Sequence, residues 1–329
     1  MTSSTTADAG QGPPDRRLPR PHPGRRRAVR VTLLVVVSIL VALVVDGALV
    51  AARVDRLDVD LSQGPGDADG RTWVLLGLDS RADLPDGAEI GHFGTVDDVP
   101  GTRTDVVIVV HQTDAGTTVF SLPRDVVVNT DRRFDRLALA WLDGPQNTVD
   151  ALCRLGIPTD HLVTVDLHGF AAVVDAAGGL DIDVPEPVRD SYSGLELTTA
   201  GRQHVDGVTA LAMVRSRHPE HLVDGQWTPA PADPDGRATE AGAVLSALID
   251  QVHGALARPW RLQSIAWTAA DAVQVDPGAS TSELASLARS DLGPVQVLPV
   301  GDPVGTSIAR LPNRATSDAV RAAGMSCDS

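Results

Sequence analysis

The strongest constraint on this chain lies near its start. Val31 to Val45 is an apolar run in which only Thr32 and Ser38 are polar, and apolar character resumes after Asp46 and continues to Ala52. A bilayer core about 30 Å thick takes roughly 20 such residues in a helix, so 31–52 spans it when Asp46 lies near the far interface. Arg25, Arg26, Arg27 and Arg30 stand directly before the run, and basic residues on one flank predict that flank to be cytoplasmic. The expected layout is a single-pass protein of the cell membrane. It has a basic, disordered tail over 1–30, an anchor over 31–52, a linker over 53–71 and an extracytoplasmic domain over 72–329. Val50-Ala51-Ala52 also suits the small-residue site of a cleaved signal peptide. A buried helix of a soluble protein fits the arginine flank poorly.

Charge sorts the functions open to that domain. The chain has no lysine, so all 28 basic residues are arginine. Schiff-base and Walker-type lysine chemistry is excluded, and an anion site has to be built from planar guanidinium groups that grip phosphate oxygens in pairs. Residues 1–30 hold seven arginines against Asp8 and Asp15, so the net charge of −15 leaves about −20 for residues 31–329. So acidic a domain lacks the basic footprint of nucleic-acid binding. Two cysteines, Cys153 and Cys327, carry no metal spacing; in an exported chain the default is that they pair, and a free, buried Cys153 is the alternative. The nine histidines are scattered, and each reads as structural or surface.

Strand and helix signals interleave along the rest. Trp73-Val74-Leu75-Leu76 predicts a strand ending at Gly77. Val106 to Val110 is continuous enough to be buried on both faces, and Thr117 to Ser121 returns after the turn at Asp114-Ala115-Gly116. Leu162 to Val165 leads into a helix from about Leu167 to Ala176, which Gly178-Gly179 stops. Leu180 to Val184 then alternates as a half-exposed strand. Further helices are expected at 146–155, 206–213, 238–256 and 281–289, and a late strand from Val295 to Leu298. The fold class is α/β, a mixed sheet sandwiched between helices.

Arginine and aspartate meet at three of the predicted strand ends: Gly77-Leu78-Asp79-Ser80-Arg81, Arg103-Thr104-Asp105 and Pro123-Arg124-Asp125. A fourth cluster, Arg215-Ser216-Arg217, is expected to aim both guanidinium groups to one face of an extended segment. Singly, each reads as a surface salt bridge. Together they suggest a clamp for pyrophosphate, with carboxylates for the accompanying divalent cation. Ser80 and Ser121 lack the Gly-x-Ser-x-Gly elbow of a serine hydrolase.

The stretches VLLGLDSR (74–81), TRTDVVIVV (102–110), FSLPRD (120–125), DHLVTVDLHGFAAVVDAAGGLDIDV (160–184) and GVTALAMVRSRH (207–218) resemble the LytR-CpsA-Psr family of the actinobacterial kind, most densely over 72–256. The resemblance implies a three-layer α/β domain with an apolar channel, anchored by one N-terminal helix. It implies a magnesium-dependent phosphotransferase that moves a glycopolymer from a polyprenyl-pyrophosphate carrier to peptidoglycan. By the same resemblance Asp79 and Asp105 hold magnesium, Arg124 is catalytic with them, and Arg81, Arg103, Arg215, Arg217 and Arg237 bind the pyrophosphate. Three positions depart from the family pattern. Glu240 and Ala241 replace the arginine and glutamine expected after Arg237, Arg136-Leu137-Ala138 replaces a Lys-x-Asn segment, and Pro234 replaces an aspartate. Spacing from Arg237 predicts that Glu240 and Ala241 look into the site, with Glu240 beside Arg237. These departures keep a second reading open, a non-catalytic binder of polyprenyl-linked glycan or lipid. A transcriptional regulator is disfavoured by charge and by the exported topology.

Overall fold

The computed structural model describes residues 23–61, 70–85, 87–95, 97, 100–130, 133–231, 233 and 235–327. It divides into two units, Met1–Leu49 and Val50–Ser329. The apolar run forms helix α1 (Pro23–Arg53), and its segment Thr32–Arg53 is a candidate membrane span of 22 residues. At 1.5 Å per residue that segment is about 33 Å long, enough to cross a hydrocarbon core. Residues 23–30, expected in the tail, are helical, whereas 1–22 lie outside the described residues.

The second unit is built on a seven-stranded mixed sheet. Its strands are β1 (Asp55–Arg56), β2 (Arg71–Leu78), β3 (Thr104–Thr113), β4 (Gly116–Ser121), β5 (His161–Asp166), β6 (Val273–Val275) and β7 (Val295–Val297). The spatial order is β1-β6-β5-β2-β3-β4-β7. The β2–β5, β1–β6 and β4–β7 pairs are parallel, and the β2–β3, β3–β4 and β5–β6 pairs antiparallel. Alternation along β2 and β3 sends side chains to both faces, and both faces are covered. Val74, Leu76, Val107 and Val109 join one core with Leu152 of α2 (Pro145–Arg154) and Val320 of α8 (Arg314–Ala322). Trp73, Leu75, Ile108 and Val110 join the other, where Leu245 of α5 (Gly236–Ala255) and Ala270 of α6 (Pro259–Ala272) pack.

Between β5 and α5 the chain forms α3 (Leu167–Ala177) and α4 (Gly207–Arg215). The Asp166 and Asp206 side chains cap these helices, accepting from the backbone N–H of Gly169 and Thr209. Gly178, at φ 89°, ends α3 in the left-handed conformation that glycine adopts without strain. A β-carbon on Gly207 would lie 2.2 Å from the Ala171 carbonyl oxygen, so glycine there lets α3 and α4 pack closely.

Several expectations change. Residues 53–61 are not linker. Val54, Leu57 and Val59 are buried, and Asp55–Arg56 pairs with Gln274–Val275 at the sheet edge. Residues 62–69 lie outside the described set. Among the described residues, four α-helices had no sequence expectation: α6, α8 and the four-residue helices Ile90–Phe93 and Leu137–Ala140. The strand Leu180–Val184 alternates buried and exposed as expected, but it pairs with Gly201–Val205 in a separate two-stranded sheet. Cys153 and Cys327 form a disulfide with Cα atoms 5.3 Å apart, tying the C-terminal segment to α2.

Candidate functional site

The ends of β2, β3 and β4 bring the arginine–aspartate clusters together, because β2–β3–β4 is one antiparallel meander. Asp79 and Arg103 face each other across the β2–β3 bulge, where the Asp79 N–H donates to the Arg103 carbonyl at 2.8 Å. Arg124 Nη1 donates to Asp105 Oδ1, and Arg217 Nη2 to Asp105 Oδ2 at 3.2 Å. Asp125 is the second hub. It accepts from Arg136 Nη1 at 3.1 Å and Arg237 Nη2 at 2.8 Å, and Arg124 Nε lies 3.6 Å away. Arg81 Nη2 donates to Asp79 Oδ2 at 3.2 Å. Asp79, Arg124 and Asp125 are all buried.

Burial and neighbouring charge act together on two of these cations. Arg237 is pushed down to about 10, first by burial and then by the positive charges of Arg124 and Arg217, against the opposing pull of Asp125 and Asp105. Arg215 is also lowered, by burial above all, with Asp79 and Asp105 favouring its charge and Arg81 and Arg217 opposing it. Both groups are lowered chiefly by burial, so each carries its charge out of water among neighbouring cations and carboxylates. Asp79 Oδ1, Arg81 Nε and Arg124 Nε are buried without a hydrogen-bond partner. Uncompensated buried polar atoms are costly, so these three are open to a ligand.

Beneath the cluster lies a polar cavity of about 20 Å³, lined by Ser121, Arg124, Asp125, Arg237 and Ala241 among others. Adjoining it is an apolar cavity of about 250 Å³ between the sheet and helices α3–α6, walled by Leu75, Ile108, Val163, Phe170, Leu211, Val244 and Leu248. Asp105, Val106 and Ala241 line both, and Arg215 stands on the wall of the larger. Helix α5 thus presents Arg237 to the polar end and Ala241, Val244 and Leu248 to the apolar end, at steps of three and four residues that keep one face.

Two sequence expectations are corrected here. Arg215 and Arg217 do not share an extended segment: Arg215 ends α4 and Arg217 follows its cap at Ser216. They reach the site because Asp190, 1% exposed, fixes the turn, its Oδ2 accepting from the Ser216 hydroxyl and the Arg217 and His218 N–H groups at 2.7–2.8 Å. Burial raises Asp190, but those donors outweigh it and hold the carboxyl below its ordinary value. Glu240 is exposed and lines neither cavity, so only Ala241 of the pair looks inward, and Arg237 pairs with Asp125 instead. Arg103 meets Asp79 through its carbonyl, and its side chain, like those of Asp79, Arg81 and Arg217, lies outside the lining of both cavities. Arg136, the Asp125 hub and Asp190 are site components the residue pattern undervalued. Arg136 was legible as the basic residue of its segment, whereas nothing in sequence ties Asp190 to a turn 26 residues away.

The family profile described as LytR_cpsA_psr matches residues 51–296. This chain belongs to that family. The probable cell wall biosynthesis protein LcpB of Corynebacterium glutamicum is 34% identical over 172 residues, covering 50% of this chain and 41% of LcpB. TagV of Bacillus subtilis, named a polyisoprenyl-teichoic acid–peptidoglycan teichoic acid transferase, is 31% identical over 166 residues, covering 46% of this chain and 40% of TagV. The chain therefore spans less than half the length of these two relatives. A solved LytR-Csp2A-Psr enzyme from Actinomyces oris is 37% identical with a TM-score of 0.70, over 83% of this chain and 97% of that one. The LytR_cpsA_psr fold is thus shared across nearly the whole of that solved domain.

Proposed function

We propose that this LytR_cpsA_psr protein transfers a cell-wall glycopolymer from a polyprenyl-pyrophosphate carrier to peptidoglycan at the outer face of the membrane. The observation that carries the reading is the junction of two environments. A 250 Å³ apolar cavity opens beside a buried arginine cluster, and Asp105 and Ala241 belong to both the apolar and the polar cavity. An amphiphile with a hydrocarbon tail and a polyanionic head matches that junction, and the name of TagV supplies the class of polymer. Arg215, Arg217 and Arg237 grip the diphosphate, while Arg124 stands where charge builds on the leaving oxygen.

Asp79 and Asp105 are the residues that would hold magnesium, and Asp79 Oδ1 has a buried lone pair to give it. Among the described residues no three metal-ligating side chains converge, which suits an ion that keeps waters and takes phosphate oxygens rather than an all-protein cage. Such an ion supplies neutralisation of the diphosphate charge. The arginines orient the head group, and the walls of α3–α6 keep the tail from water.

The test uses the full chain with magnesium, a polyprenyl-pyrophosphate-linked glycan and peptidoglycan. Transfer by the parent, with carrier binding lost in the Arg215→Ala/Arg217→Ala double variant, is the expected result. Absence of both binding and transfer refutes the proposal. Binding without transfer selects the second reading, a carrier-binding protein, which Ala241 favours because a methyl group fills a position facing both cavities.

A further inference from the structure

Helix α6 carries an exposed tryptophan with no task in the site, and a second, half-buried one on the same face. Trp260 is 77% exposed, and Leu256 just before the helix is 43% exposed. In a chain with 3% aromatic residues, leaving the largest of them in water is a costly placement. Trp267 follows seven residues later on the same face, about 10 Å along the axis, and Asp271 lies one turn further. The Arg53 guanidinium lies 4.6 Å over the Trp267 ring and donates twice to Asp271, at 2.9 and 2.7 Å.

Arg53 is the last residue of the candidate span Thr32–Arg53. If that segment crosses a bilayer, Arg53 stands at its outer interface, and so does the stretch of α6 that it binds. A helix so placed, with indoles on one face, has the composition of the interfacial belt, where tryptophan sits at headgroup level and arginine meets lipid phosphate. The charges agree. Arg258 is exposed at the α6 N-cap. Asp271, the one acid on α6, is neutralised by Arg53. The rest of the domain is strongly acidic and would be repelled by the same surface.

We infer that α6 is a bilayer-docking element, which lays Trp260, Leu256 and Arg258 into the outer leaflet's interface with anionic phospholipid. The inference rests on reading α1 as a span. Ala269 of the same helix lines the apolar cavity, so docking brings that cavity to the level where a polyprenyl tail leaves the membrane.

The experiment puts the full chain into nanodiscs of phosphatidylglycerol and phosphatidylethanolamine whose acyl chains are brominated just below the headgroup. Tryptophan quenching is then compared between the parent, Trp260→Phe and Trp267→Phe. Helix α1 has no tryptophan, so quenching reports the exported domain alone. The expected result is clear quenching in the parent and loss of most of the quenched amplitude in Trp260→Phe, with circular dichroism unchanged. Insertion without quenching, or quenching that Trp260→Phe leaves intact, overturns the docking inference while sparing the span. Failure of the chain to insert overturns both. The arginine site can fail its own test without touching this one.

Discussion

Replacing Asp125 by asparagine should move stability and anion affinity in opposite directions. The carboxylate accepts from Arg136 and Arg237 and lies 3.6 Å from Arg124 Nε, with its side chain 11% exposed. Removing one partner of a fully buried pair costs about 3–5 kcal/mol because the other charge is left uncompensated. Arg136 and Arg237 are 28% and 26% exposed, so solvent screens part of that, and about 3 kcal/mol is the better expectation. For a domain of this size each kcal/mol shifts Tm by about 2–4 °C, giving a fall of roughly 6–12 °C. The diphosphate gains instead. Removing a negative charge from the arginine cluster that would hold it relieves repulsion, and each ~1.4 kcal/mol so gained is about a tenfold rise in affinity. Thermal unfolding of the ligand-free protein and calorimetric titration with geranyl pyrophosphate measure the two quantities. Affinity that falls together with Tm would refute the reasoning, because Asp125 would then serve chiefly to position the arginines.

Three further expectations follow from particular contacts. Ala241→Gln should change carrier binding or transfer and Glu240→Arg should leave both near the parent value, since only position 241 faces the cavities; equal effects in a transfer assay would contradict the geometry. The Cys153–Cys327 bridge closes a loop of 174 residues and by chain entropy contributes roughly 5 kcal/mol, so the unreduced, denatured protein should take up no alkylating reagent and reduction should lower the urea midpoint. Glu283, in the capping box of α7 (Thr281–Leu287), is lowered from its ordinary 4.5 to about 2 by the Ser280 hydroxyl, the Ser280 N–H and then Arg71. A depressed carboxyl contributes stability that is full above pH 4.5 and lost as pH falls toward 2. The stability gap between parent and Glu283→Gln should therefore close across that window, and a pH-independent gap would refute the assignment.

Much of this protein was legible in one dimension because the signals are local. The apolar run, the arginines before it and the buried strands Val74–Leu76 and Val106–Val110 depend on side chains close in sequence, and so does the stop at Gly178. The arginine–aspartate clusters were visible as short motifs, and strand adjacency brings Asp79, Arg103 and Asp105 together. Helices α6 and α8 escaped because their apolar faces are interrupted by polar residues and are completed only by tertiary neighbours. Which acid serves which arginine was beyond the sequence. Arg237 chooses Asp125 rather than Glu240, three donors of the turn at Ser216 to His218 converge on Asp190, and Arg53 reaches across 218 residues to Asp271. Partner choice is decided by distance and burial, since a charge pairs with whatever opposite charge the fold leaves beside it out of water. Spacing along the chain sets which residues are candidates for the site; only the packed sheet and helices determine which of them meet.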